Sequence, residues 1–122
     1  MRVERVVPNL TVADLQEAVS VHSSLLGMRV VMDHGWIVTL ADTEGHQLSL
    51  MTSDATGPVN PDVSVFVDDV RAAYARAQDT EGVEIVHPLC DEDWGVTRFF
   101  YRDGSGRVVN VGTHTRRSRR RS

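Results

Sequence analysis

DWGVTRFFYRDGSGRVVNV, residues 93–111, is the stretch whose reading decides the fold. Val96–Arg102 is rich in β-branched and aromatic residues, and Val108–Val111 is apolar again. Such residues suit a pleated, half-buried surface. Between them, Asp103-Gly104-Ser105-Gly106 offers an aspartate that can bond its own backbone and two glycines able to take positive φ. The reading is strand, tight turn, strand. An echo lies upstream: Asp42-x-x-Gly45 and Leu48-Ser49-Leu50 fall on Asp103-x-x-Gly106 and Val109-Asn110-Val111 at a shift of 61.

The echo extends further. Val12, Asp14, Leu15, Ala18 and Gly27 fall on Val67, Asp69, Val70, Ala73 and Gly82 at a shift of 55. The six-residue change places a longer loop around Leu89–Gly95 in the second copy. In the first copy, Val3–Val12 alternates as a strand. Leu15, Ala18, Val19, His22 and Leu26 form one helical stripe, capped by Thr11 or Asp14 and ended by Gly27. Short strands follow at Arg29–Met32, Trp36–Ala41 and Gln47–Thr52. SDATGPVNP, residues 53–61, is a linker of small residues and prolines. The pattern then restarts. Val63, Val65 and Val67 alternate, Val70, Ala73, Tyr74 and Ala77 form a stripe closed by Gly82, and Glu84–Cys90 is a strand. The expected fold is α+β, with two pseudo-symmetric βαβββ modules forming a curved mixed sheet, helices on its outer face. The modules span about residues 3–52 and about 62–114 of one domain, 1–115, and an Arg-rich tail occupies 116–122.

Composition narrows the classes. Hydrophobic residues make up 41% and charged residues 25% of 122, as in soluble globular chains. No apolar run suits a membrane span, and MRVERVVPNL lacks the apolar core of a signal peptide. Cys90 stands alone and cannot form an internal disulfide, which fits a cytoplasmic protein. All 13 basic residues are arginine, a bias that suggests a GC-rich bacterial source. Eight of them face 17 acidic residues within positions 1–115, so the body is acidic and nucleic acid is not an expected partner.

One strand register gives the helices an apolar face made of Val6, Pro8, Leu10, Leu48, Leu50, Val63, Val65, Val67, Val109 and Val111. The opposite face then carries Arg5, Val7, Asn9, Gln47, Ser49, Met51, Asp62, Ser64, Phe66, Val108 and Asn110. On the strands Trp36–Ala41 and Val96–Arg102, Trp36, Val38, Leu40, Thr97, Phe99 and Tyr101 are placed toward the helices, and Arg98 and Phe100 toward the mixed face. Curled inward, that face would make a cup suited to a small molecule.

With the halves, the VADL helix ending LLGM, and the WG-x-x-x-F-x-x-x-D-x-x-G run in view, the chain resembles the vicinal-oxygen-chelate superfamily over about residues 3–114. That superfamily includes glyoxalase I, extradiol dioxygenases and bleomycin-binding resistance proteins. The resemblance implies metal ligands on the first and last strand of each half, here Val7, Ser49, Asp62 and Asn110. Valine has no donor atom, and a hydroxyl and an amide are weak ligands, so no metal and no cofactor is expected. His22 reads as a packed residue, and His34, His46, His87 and His114 as surface residues. Asp91-Glu92-Asp93 reads as a solvated acidic loop that could draw a cation toward Trp94.

The expected function is metal-free binding of a small aromatic or cationic molecule, in the manner of drug-sequestering resistance proteins. The expected ligand-binding residues are Asp62, Asn110, Ser49, Val7, Phe66, Trp94, Arg98 and Phe100. Two alternatives stand beside it: a glyoxalase- or lyase-type enzyme using Asp62 as acid/base, and a non-catalytic structural or regulatory module. The resemblance also implies a homodimer.

Overall fold

A computed structural model describes residues 1–54 and 57–114; the Arg-rich tail and the middle of the linker lie outside these. Among the described residues are eight strands and two helices, an α+β fold with mixed strand pairing. The chain forms two compact units, one of residues 7–60 and one of residues 1–6 with 61 onward.

In the first of these units, β1 (Val3–Thr11, shared with the other unit), α1 (Leu15–Leu26), β2 (Arg29–Asp33), β3 (Ile37–Ala41) and β4 (Gln47–Met51) follow in order. The hydrogen-bonded order is β2-β3-β4-β1. β1 and β4 run parallel with Asn9 opposite Ser49, whereas β3 is antiparallel to both β4 and β2. Asp14, with extended backbone angles, caps α1 by accepting the Glu17 N–H at 3.1 Å. Gly27 ends the helix at φ 67°. α1 packs on Val38, Leu40 and Leu50, with Leu15, Val19 and Leu48 around them.

The other unit repeats the plan with β5 (Val63–Val67), α2 (Val70–Gln78), β6 (Glu84–Glu92), β7 (Val96–Arg102) and β8 (Val108–His114). The order is β5-β8-β7-β6, with β5 and β8 parallel and the other pairs antiparallel. Asp69 caps α2 through the Ala72 N–H. Val67, Val70, Ala73, Phe99 and Val111 form the core beneath it, and Tyr74 meets Phe99 edge to face at 5.0 Å. A buried phenylalanine of this kind contributes on the order of 1.5–3 kcal/mol.

The helix-facing register is as expected for Leu48, Leu50, Val65, Val67, Val109 and Val111, and for Val38, Leu40, Phe99 and Tyr101. It differs on β1, where Val6 and Leu10 are 54% and 41% exposed. Neither belongs to the α1 core, because that helix lies over β3 and β4. Leu26, expected on the stripe, is 54% exposed. α2 stops at Gln78, a turn before Gly82, because its C-cap Asp79 N–H already bonds the Ala77 and Arg76 carbonyls.

Candidate functional site

The face of β5, β8 and β7 opposite α2 gathers several of the expected site residues, all within one unit. Register sets it out in rows. Ser64, Asn110 and Phe100 are cross-strand neighbours, and Phe66, Gly112 and Arg98 form the next row. Because side chains alternate along a strand, these six positions share one side of the sheet. Gly112 leaves little room for a side chain there: a Cβ would come within 3.2 Å of Val96 Cγ1 and 3.4 Å of Arg98 Cβ.

In the first row, Asn110 Nδ2 donates to Ser64 Oγ at 3.0 Å. Asn110 is 7% exposed, and its Oδ1 has no hydrogen-bond partner among the described residues. A buried acceptor left unpaired is costly, so such an atom is where a ligand's donor would be welcome. At the strand's entrance, Asp62 Oδ2 accepts the Val108 N–H at 2.9 Å, and Oδ1 lies 3.6 Å from Arg107.

Arg98 organises the far side. Only 3% of it is exposed. Its Nε donates to Glu92 Oε2 at 2.7 Å, and its guanidinium carbon sits 4.7 Å from the Phe100 ring centre and 5.0 Å from that of Trp94. His87 lies against Phe100 at 4.9 Å and places Nε2 3.6 Å from the same Glu92 oxygen. His87 Nδ1 meets the Pro88 carbonyl at 2.7 Å, so that nitrogen carries the proton. Glu92 is therefore no solvated loop residue. β6 continues through it, and antiparallel pairing with β7 turns its side chain onto Arg98. His87 is likewise buried rather than at the surface.

The near side opens. A cavity of about 450 Å³ is lined by Arg2, Val3, Glu4, Arg5, Phe66 and His114. The Phe66 and His114 rings stack at 4.6 Å and 16°. The Arg5 guanidinium lies over Phe66 at 4.2 Å, with Nη2 2.7 Å from His114 Nε2. Arginine only donates, so Nε2 accepts and the imidazole is neutral in this contact. His114 thus ends β8 as part of a cavity wall, not as a surface residue entering the tail.

Of the expected site residues, Phe66, Arg98, Phe100 and Asn110 share the face, Trp94 joins it through Arg98, and Asp62 stands at its entrance. Val7 and Ser49 belong to the other unit, where Val7 is 2% exposed and Ser49 Oγ is 2.7 Å from Thr39 Oγ1. Arg5, Glu92, His87 and His114 did not figure among the expected site residues. Alternation already puts Arg5 on the mixed face, and His114 keeps the same parity as Asn110 on its strand.

The donors at the positions where the resemblance implies a metal do not fit a divalent ion. There is one carboxylate, Asp62, already engaged by Val108 and facing Arg107, and Ser49 and Asn110 are bonded to other side chains. Among the described residues no three His, Cys, Asp or Glu side chains gather.

The profile of the Glyoxalase/Bleomycin resistance protein/Dioxygenase superfamily matches residues 2–111. No curated protein matches the sequence. Among solved structures, the chain is similar to one described as a glyoxalase/bleomycin resistance protein/dioxygenase superfamily member from Vibrio splendidus 12B01. The identity is 20% and the TM-score 0.69, over 92% of this chain and 99% of that one. It is also similar to methylmalonyl-CoA epimerase from Mycobacterium tuberculosis, at 19% identity and TM-score 0.62 over 91% and 86%. A third is described as NAD-dependent benzaldehyde dehydrogenase from Legionella pneumophila, at 15% identity and TM-score 0.73 over 90% and 99%. At these identities the likeness concerns the fold.

Proposed function

The chain belongs to the glyoxalase/bleomycin-resistance/dioxygenase superfamily, and within it we propose a protein that binds a small organic molecule without a metal. One observation carries this reading: the cavity of about 450 Å³ whose wall joins a stacked Phe66–His114 pair to the Arg5 guanidinium. A concave site with an aromatic face and a few placed polar groups is the common form of a small-molecule site. Asn110 Oδ1 and the Asp62 carboxylate add polar anchors along the same strands. The mechanism is stoichiometric sequestration, in which stacking and anchoring hold the ligand and no bond is made or broken.

Homodimerisation is part of the proposal. Val21 and Leu25 lie four residues apart on α1 and are 50% and 76% exposed, and Val30 and Val31 on β2 are 47% and 44% exposed. Apolar surface of this kind suits a partner copy.

Calorimetric titration of the purified chain with a panel of aromatic compounds, before and after EDTA, tests the reading. The expected result is one-to-one binding that EDTA leaves unchanged. Binding lost with EDTA, together with a stoichiometric metal that Asp62→Asn releases, would overturn it. Turnover of any panel compound that Asp62→Asn abolishes would favour an enzyme using Asp62 as acid/base.

A further inference from the structure

We infer that His87 is a proton-operated switch on the Glu92–Arg98 pair. Neutral, it leaves Glu92 to Arg98; protonated, its Nε2 competes for the same carboxylate oxygen. This goes beyond the small-molecule reading above and does not depend on it.

The pairing of β6 with β7 is built around this contact. β6 advances two positions, from Ile85 to His87, while β7 advances one, from Tyr101 to Phe100. It then advances three, from His87 to Cys90, against two from Phe100 to Arg98. Each step inserts one extra residue, a bulge that changes the face a side chain takes. Without the first bulge, His87 would follow Ile85 toward the core beneath α2. With it, the imidazole lies against Phe100 on the opposite face. The second bulge brings Glu92 to that same face, where its carboxylate meets both His87 and Arg98. His87 and Glu92 are five positions apart, an odd number, and an unbroken strand would put them on opposite faces.

Proton bookkeeping supplies the second argument. The Pro88 carbonyl only accepts, so Nδ1, 2.7 Å away, carries a proton in either charge state of the ring. In the neutral ring Nε2 is therefore bare, and it lies 3.6 Å from Glu92 Oε2. A bare nitrogen is repelled by an anionic oxygen, and a proton on it turns the contact into attraction. The same Oε2 accepts Arg98 Nε at 2.7 Å, so imidazolium and guanidinium would compete for one atom.

Glu92, on β6 itself, favours the charged ring; burial and the Arg98 cation on β7 oppose it. The other titratable groups of this part of β6 point elsewhere, Asp91 to the Thr97 hydroxyl and exposed Cys90 to the Asp91 carbonyl. On the far side of the sheet, Ile85, Leu89 and Tyr74 pack against the Phe99 core. Arg98 carries a change at His87 outward, because its guanidinium lies against Trp94 and Phe100.

The test titrates the isotope-labelled full chain from about pH 8 to about pH 5, the range in which histidine ordinarily changes charge. Nuclear magnetic resonance follows the His87 ring nitrogens and the Arg98 Nε–H. The expected result is that Nδ1 stays protonated throughout, Nε2 gains its proton within the range, and the Arg98 resonance moves with the same midpoint. In His87→Gln the Arg98 resonance should stay constant over that range. In Glu92→Gln the Nε2 midpoint should fall by about one pH unit or more, since the attracting charge is gone. Should either variant fail to fold, the two midpoints in the unaltered chain decide. The switch is overturned if Nε2 keeps one protonation state over the whole range, if Nδ1 is the nitrogen that loses its proton, or if the Arg98 resonance does not follow His87.

Discussion

Arg98 and Glu92 are the residues on which the site's far side depends. Their side chains are 4% and 9% exposed and 2.7 Å apart. Removing Glu92 takes from the buried Arg98 the carboxylate to which its Nε donates. Glu92→Leu should therefore destabilise the fold by about 3–5 kcal/mol in denaturant unfolding. The double variant Glu92→Leu with Arg98→Met should recover most of that loss, since no charge is left buried. Equal destabilisation of the single and double variants would show that the pair is not the cause. Gly112 makes a second residue-scale case. Alanine there must push into Val96 Cγ1 at 3.2 Å and Arg98 Cβ at 3.4 Å, so Gly112→Ala should cost about 1–3 kcal/mol. Neither feature is legible in sequence. Three acids in a row, Asp91-Glu92-Asp93, look like a solvated loop. Only the β6–β7 pairing shows that they part company, Asp91 accepting from Thr97 and Glu92 from Arg98.

At the scale of elements, the turns before β4 and β8 are one device used twice. Asp103 Oδ1 accepts the N–H groups of Ser105 and Arg107, and Gly106 takes φ 92°. Asp42 Oδ1 likewise accepts from Glu44 and His46, and Gly45 takes φ 91°. The Ser105 hydroxyl, followed by the Arg107 N–H, holds the Asp103 carboxyl below its ordinary value near 3.8. The His46 ring does the same for Asp42. A carboxyl whose pKa is depressed by folding stabilises the fold above its unfolded value and loses that contribution as pH falls through the folded one. The chain carrying Asp42→Asn and Asp103→Asn should thus unfold with a flatter pH dependence below about pH 4, as acid titrations followed by circular dichroism would show. An unchanged acid profile would mean that these turns carry no pH-linked stability. This device was readable in advance, because aspartate, glycine and spacing are local signals. The ends of the elements were not. β6 runs past Cys90 to Glu92, and α2 stops before Gly82, because strand pairing and capping bonds set those limits.

For the whole molecule, the repeat at shifts of 55 and 61 corresponds to two units with the same strand order and the same parallel pairing of first and last strands. The proposed homodimer belongs to this scale. Leu25→Asp changes a side chain that is 76% exposed, so folding should be unaffected. If α1 lies in a dimer interface, sedimentation should show that variant shifted to monomer. A dimer equally stable in Leu25→Asp would place the contact elsewhere.

The sequence by itself determined the α+β class, the βαβββ repeat and which face of most strands meets a helix. Those features rest on periodicity, caps and turn residues, whose signals lie within a few positions of one another. Tertiary structure decided which side chains meet around the candidate site. It put Arg5 over Phe66 across 61 positions and against His114 across 109, and turned Glu92 onto Arg98. Contacts between strands distant in the chain follow from pairing and register, which no local pattern of residues encodes.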